Sequence, residues 1–194
     1  MSDRHSVLVG TNRQVAEAFF AAYQRHDADA MCRLLHPQMT FQDRAFENLA
    51  REDTALMWRW FCTVNFGRRR EPVRVAGFEI TGSGADTVDV RYRVQYELFR
   101  DRQAASTPGA APQRRVDYAI DSHLVFRDGL IYRQTDKPAI ASMRFAYMIA
   151  GLKGCLGVLL GKFDGAVRAQ ARQGLSEFRQ SAMNGDRKFA RPGN

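Results

Sequence analysis

The chain has 194 residues, of which 45% are hydrophobic and 11% are aromatic, and its formal net charge is +8. This length is sufficient for one domain with a sizeable core, and the composition excludes an intrinsically disordered chain. The first residues lack the apolar segment of a secretory signal, so we expect a cytoplasmic protein. The cysteines, Cys32, Cys62 and Cys155, show no zinc-ligand spacing and are interpreted as reduced thiols.

The N-terminal third of the chain predicts helices. Apolar residues recur every three or four positions over residues 11–26, where Thr11 or Asn12 can cap the first turn. The pattern repeats over residues 27–35, and Pro37 follows where a helix must have ended. A short extended piece then leads to Asp43, and residues 51–66 predict a third helix.

Beyond Gly67 the hydrophobic period changes from 3.6 to 2. Alternating segments at 73–80, 87–99, 116–126 and 130–136 predict an antiparallel meander, in which the charged face of the second strand points outward. Residues 100–115 collect Pro, Gly, Ala and Arg without a period and predict a mobile hairpin loop.

The C-terminal part predicts a helical extension over residues 139–183, followed by a basic tail at 184–194. Its first half is apolar enough to suggest a membrane span, but Arg144, Lys153 and several glycines favour a packed hairpin of helices. The arginine run at 68–70 occurs in no nucleic-acid motif, and we interpret it as solvated loop charge. Nucleic acid and membrane surfaces are therefore not the expected partners.

Two stretches carry a resemblance to a known family. VAEAFFAAYQRHDADAMCRLLHPQMTFQD (15–43) and DSHLVFRDGLIYRQTD (121–136) are similar to the opening and the penultimate hairpin of ketosteroid isomerases and SnoaL-like polyketide cyclases, members of the nuclear transport factor 2-like superfamily. The chain also resembles bacterial members without an assigned function. The resemblance covers about residues 13–136 and implies an α+β cone, with three N-terminal helices packed on a strongly curved antiparallel sheet.

The resemblance also implies a hydrophobic pocket inside the cone, an apolar small-molecule ligand and a homodimer through the outer face of the sheet. Asp43 matches the general-base aspartate of the isomerases, whereas Phe19 and Ser122 stand where their oxyanion donors should be. Phenylalanine cannot donate a hydrogen bond.

A second branch of the superfamily, the limonene epoxide hydrolases, uses an aspartate, arginine and aspartate set. Asp136 resembles the last acid of that set and Arg93 the arginine, while Gln95 replaces the acid that activates water. Glutamine can orient a water molecule but cannot remove its proton.

Each candidate catalytic acid has two interpretations. Asp43 is either a general base at the mouth of the cavity or a turn residue paired with Arg44 or Arg51. Asp136 is either a second acid that shares a cavity face with Gln134, or a surface residue paired with Lys137.

The candidate substrate-binding residues are aromatic or polar and fall on the predicted helices and strands: Tyr23, Trp58, Phe61, Gln95, Ser122 and Gln134. The aromatic residues among them are equally compatible with core packing. The sequence contains no phosphate-binding loop and no metal-ligand cluster, so we predict neither a cofactor nor a metal. The function expected is that of an isomerase, cyclase or hydrolase using carboxylate acid/base chemistry, or alternatively that of a non-catalytic ligand-binding or dimerisation module.

Overall fold

The computed structural model describes residues 2–64 and 66–184, so the predicted basic tail beyond Asn184 lies outside the described residues. The helices are α1 (Ser2–Gln24), α2 (Ala28–Arg33), α3 (Arg51–Phe61), α4 (Arg102–Ser106), α5 (Ser142–Ala150), α6 (Leu152–Leu159) and α7 (Phe163–Met183). The strands are β1 (Leu35–Gln42), β2 (Leu49–Ala50), β3 (Arg74–Ser83), β4 (Thr87–Leu98), β5 (Arg114–Arg127) and β6 (Leu130–Pro138).

The strands form one six-stranded sheet in the order β2-β1-β6-β5-β4-β3. Strands β3 to β6 make the predicted antiparallel meander, and β1 joins it by parallel pairing with β6, for example Phe41 with Gln134. Register shifts in β3 and between β5 and β6 mark irregularities of the kind that bend strands. The curved sheet and the N-terminal helices confirm the predicted α+β fold.

The inner face of the sheet carries the core. Val88, Val90, Tyr92 and Val94 of β4 are buried and face the aromatic side of α1, where the ring of Phe20 lies 4.9 Å from that of Tyr92. The alternation of apolar and polar residues along β4 fixes this orientation.

The outer face of the sheet is polar, as the sequence predicts. Its polar side chains pair across neighbouring strands: Arg91 with Asp121 at 2.7 Å, Arg93 with Asp117 at 2.6 Å and His123 with Asp89 at 2.6 Å. The homodimer expected through this face stays a prediction.

One local prediction is wrong and another is wrong in part. Helix α1 begins at Ser2, so neither Thr11 nor Asn12 caps it; the side chain of Asn12 is buried and donates a hydrogen bond to the carbonyl of Ala85. Residues 100–115 connect the antiparallel strands β4 and β5 as predicted, but they are not irregular throughout: Asp101 caps α4 by accepting from the backbone N–H of Ala104, and β5 already begins at Arg114.

The C-terminal helices pack over the open end of the cone rather than over the outer face of the sheet. Phe145 of α5 contacts the ring of Tyr118 at 5.2 Å, and Leu175 of α7 is part of the main core. Among the described helices, none has the length and hydropathy that crossing a membrane requires. The packed arrangement of helices that the sequence favoured is therefore the one observed.

Candidate active site

A cavity of about 240 Å³ lies between the inner face of the sheet, α1, α3 and the C-terminal helices. Most of its wall is aromatic or aliphatic. The lining side chains that bear on its chemistry are Tyr23, Phe41, Asp43, Trp58, Phe61, Arg69, Tyr92, Tyr96, Tyr118 and Asp136. An apolar cavity with a few convergent polar groups is the usual form of a small-molecule site.

Asp43 follows the end of β1 and lines this cavity. Its Oδ1 accepts hydrogen bonds from the backbone N–H groups of Ala45, at 2.8 Å, and Phe46, at 2.6 Å. Burial raises the pKa of its carboxyl group to about 7, because removal from water disfavours the charged form more than these two hydrogen bonds favour it. Asp43 therefore both caps a turn and places an acid in an apolar cavity.

Arg44 does not neutralise Asp43. Its Nε donates to Oδ1 of Asp164 at 2.6 Å, and its guanidinium lies 5.2 Å from the ring centre of Phe145 and 5.3 Å from that of Phe163. The C-terminal helices supply all three of these partners, so packing of the extension draws the cation away from the acid. Arg44 is therefore paired with the extension rather than with Asp43.

Asp136 is buried on the inner face of β6, so its interpretation as half of a surface ion pair is wrong. Its Oδ2 accepts a 2.5 Å hydrogen bond from the hydroxyl of Tyr92, and its Oδ1 accepts one from Nε2 of Gln134 at 3.1 Å. Ser122 lies opposite Asp136 in the β5–β6 register and also accepts from Gln134. Burial raises the pKa of Asp136, and the hydrogen bonds from Ser122, Tyr92 and Gln134 oppose that rise.

The two acids interact. After burial, the charge of Asp136 is a further cause of the raised pKa of Asp43. Two carboxyl groups that share an apolar site titrate as a pair. The last proton to dissociate from the pair is held more tightly than it would be by either acid alone. Two interacting carboxyl groups in one apolar cavity form an arrangement suited to moving a proton.

The predicted aromatic residues Tyr23, Trp58 and Phe61 all line the cavity, and Trp58 also packs in the core. The hydroxyl of Tyr23 has no hydrogen-bond partner within the described part of the chain. Phe19 lies behind the wall, with its ring 5.6 Å from that of Trp58, and offers no donor.

Gln95 and Arg93 are not in the cavity, and the assignment of Gln95 to substrate binding is wrong. Gln95 donates to Asp117 at 3.1 Å on the outer face of β4, where Arg93 binds the same carboxylate. Tyr92, Val94 and Tyr96 point inward, so the residues between them must point outward.

Tyr92, Tyr96, Tyr118 and Arg69 are cavity residues that the sequence did not identify. The interpretation of Arg69 as solvated loop charge is wrong. Arg69 is 7% exposed, lines the cavity and stacks 5.8 Å from Trp60 and 5.6 Å from Phe61. Its guanidinium donates to the carbonyls of Phe61 and Trp60 at the end of α3. No carboxylate of the described residues forms an ion pair with it, and burial lowers its pKa.

A second, open cleft of about 920 Å³ adjoins the cavity. Arg69 and Tyr96 line both spaces, so they lie where the two meet. Arg68, Arg114 and Lys153 line only the cleft, which makes its polar wall mainly cationic.

Comparison with known proteins gives one family match. The family model described as the SnoaL-like domain matches residues 16–134 of this chain. No curated protein matches it at a significant level.

Solved structures share the fold at low identity. A candidate polyketide cyclase from Xanthomonas campestris pv. campestris is 16% identical, with a TM-score of 0.56 over 73% of this chain and 98% of that one. Another from Silicibacter sp. TM1040 is 18% identical, with a TM-score of 0.51 over 66% of this chain and 89% of that one. An epoxide hydrolase of the LEH-like type from M. tuberculosis is 17% identical, with a TM-score of 0.50 over 79% of this chain and 98% of that one. At these identities the likeness establishes the fold alone.

Proposed function

The chain belongs to the SnoaL-like domain family of the nuclear transport factor 2-like superfamily, and from that premise we propose that it is a cofactor-independent enzyme that transfers protons on a small apolar carbonyl compound. The observation that carries this proposal is the pair of acids, Asp43 and Asp136, in one apolar cavity. Burial raises the pKa of both. Acids with strongly perturbed pKa values cluster at functional sites.

In the proposed reaction Asp43 is the general base. A pKa of about 7 suits this role, because the group is partly ionised at neutral pH and still basic enough to accept a proton. Ionised Asp43 removes a proton from the carbon next to the carbonyl. The hydroxyl of Tyr23, which lines the same cavity, donates a hydrogen bond to the carbonyl oxygen as negative charge develops there, while the charge of Asp136 helps to keep the pKa of Asp43 raised.

The fate of the resulting enolate decides the reaction class. Return of the proton from Asp43 to another carbon completes an isomerisation. Attack of the enolate carbon on a second carbonyl of the same molecule, followed by transfer of the proton from Asp43 to the new alkoxide oxygen, completes a cyclisation. Both outcomes need no external reductant or oxidant. The similarity to candidate polyketide cyclases is compatible with either.

The dimensions of the site limit the substrate. The cavity volume of about 240 Å³ is below the roughly 300–1,000 Å³ of pockets that enclose drug-sized ligands. A larger substrate would place its reacting end beside Asp43 and Asp136 and extend the remainder past Arg69 into the cleft. Because Arg69 is a buried cation without a carboxylate partner, the substrate is expected to carry an acidic oxygen, either a carboxylate or a phenolate.

Solvent exchange tests the proposal without knowledge of the natural substrate. A panel of apolar ketones is incubated with the protein in D₂O, and loss of the proton signal next to the carbonyl is followed by NMR. Exchange above the buffer rate supports proton transfer at this site. Ketones that bind in the cavity without exchanging would instead favour the alternative function, a non-catalytic ligand-binding module.

We expect Arg69→Met to weaken binding of aromatic carboxylic acids by roughly tenfold or more, because a charge-assisted hydrogen bond is worth about 1.5–3 kcal/mol. Methionine is a flexible apolar side chain that can fill much of the space, and the substitution removes the guanidinium that lies over Trp60 and Phe61. Quenching of tryptophan fluorescence by an acid and by its matched primary amide measures the effect. Affinity for the amide should change little, and equal losses for both ligands would contradict an anion-binding role.

A further inference from the structure

The hairpin formed by α5 and α6 carries nearly all the exposed large apolar side chains of the described residues. They are Met143 (39% exposed), Tyr147 (54%), Leu152 (79%), Leu156 (56%), Leu159 (73%) and Leu160 (60%); Met183, in α7, is the one that lies elsewhere. Monomeric proteins rarely leave such side chains contiguous without a partner.

The leucines are held in place by close backbone packing. Gly151 turns the chain between α5 and α6 with a φ of 64°, a conformation that favours glycine. Gly154 packs so closely on α5 that a Cβ atom would lie 2.2 Å from the carbonyl oxygen of Ala146. Because α6 presents its glycine to α5, its leucines at spacings of three and four face away from the body.

The charges around the leucines identify the partner. Residues 142–163 contain Arg144, Lys153 and Lys162 and no acidic residue. All three cations are exposed, and none has an ion pair in the described part of the chain. A second copy docked symmetrically would bring these like charges together, and a nucleic acid would leave the leucines uncovered. An anionic lipid surface would bury the leucines and attract the cations.

We propose that the α5–α6 hairpin anchors the protein on anionic membrane surfaces. The leucines enter the boundary between headgroups and acyl chains, and Lys153 and Lys162 contact the anionic headgroups. The hairpin lies on the bilayer without crossing it, since α5 and α6 have 9 and 8 residues. This anchoring is independent of the proposed acid/base chemistry.

The location of the hairpin relates membrane binding to the supply of substrate. Leu152 and Lys153 line the open cleft, and the cleft leads to the cavity that contains Asp43. An apolar substrate dissolved in the bilayer would thus meet the cleft at the membrane surface. This step, unlike the anchoring, rests on the proposed function.

Sedimentation with vesicles tests the anchor. The full chain is mixed with vesicles of phosphatidylcholine containing phosphatidylglycerol, and with vesicles of phosphatidylcholine alone. The double variant Leu159→Ser/Leu160→Ser should lower partitioning by about 100-fold, since burial of each leucine contributes about tenfold. Met183→Ser is the matched control, because Met183 is as exposed as Leu152 but lies outside the hairpin.

The cations are tested separately. Lys153→Gln/Lys162→Gln should lower partitioning onto the vesicles with phosphatidylglycerol by roughly 30-fold, and should leave the weak binding to phosphatidylcholine unchanged. Failure of the wild-type chain to sediment with either vesicle would overturn the proposal. So would light scattering that shows a dimer dissociated by Leu159→Ser/Leu160→Ser, because the leucines would then belong to an interface between copies. Neither failure would affect ketone exchange, so the two proposals stay distinguishable.

Discussion

Replacement of Asp43 by asparagine is expected to lower the rate of ketone proton exchange by roughly a hundredfold or more, the scale of losing a positioned general base. The substitution preserves the turn, because the amide oxygen of asparagine can accept the hydrogen bonds that Oδ1 receives from Ala45 and Phe46. Only the capacity to take up a proton is lost. NMR exchange rates and circular dichroism of the two proteins measure catalysis and folding separately.

The pH dependence provides a second check on the same residue. The exchange rate of the wild-type protein should rise with a midpoint near pH 7, where Asp43 ionises. Asp121→Asn is a suitable control, since Asp121 pairs with Arg91 on the outer face of the sheet and does not line the cavity. An unchanged exchange rate in a folded Asp43→Asn protein would leave Asp43 as a turn residue and remove the base from the mechanism.

The sequence predicts the helices and strands that surround the site, and which of their faces point inward, because both depend on periodic patterns of apolar residues. Alternation along β4 places Tyr92 inside and Arg93 outside. The same alternation argues against Gln95 as a cavity residue, and the family resemblance misplaced it. Asp43 and Asp136 were located by the resemblance alone, since a lone acid at the end of a strand has no pattern of its own.

Arg69 shows what the sequence cannot predict. Three consecutive arginines have three environments: Arg68 donates to the carbonyl of Phe99, Arg70 donates to that of Ala105, and Arg69 is buried in the cavity wall. They lie in an irregular segment between α3 and β3, where no period assigns a side chain to a face. Their positions depend on distant residues, which a local pattern does not contain.

Arg69 is a charged residue that is buried, whereas the leucines of α6 are apolar residues that are exposed. An apolar run predicts burial, yet Leu152 and Leu159 are 79% and 73% exposed. The space they would need in the core is already occupied, because Phe145 and Phe163 fill the contact between the extension and the cone. Burial depends on the surface available to a helix as well as on its hydrophobicity.

Asp43→Asn is also expected to stabilise the protein at alkaline pH. The folded state raises the pKa of Asp43 from 3.8 to about 7, so folding is favoured when the carboxyl group is protonated. This contribution is fully present below about pH 4, is lost as the pH rises through 7, and stays absent above it. Asparagine does not titrate and keeps its full contribution at every pH.

The free energy of unfolding of Asp43→Asn should therefore exceed that of the wild-type protein by roughly 2 to 4 kcal/mol at pH 8 to 9, with the difference shrinking toward pH 4. Urea unfolding across this range, followed by tryptophan fluorescence, measures it. Asp117→Asn provides a control of opposite sign, because the hydrogen bond from Arg93 lowers the pKa of Asp117, and its stabilisation is present above the unfolded pKa and lost in acid. A pH-independent difference for Asp43→Asn would mean that the carboxyl group is solvated in the folded state. If Asp43→Asn is more stable than the wild-type protein and no longer catalyses ketone proton exchange, Asp43 is an acid that lowers the stability of the fold and is needed for catalysis.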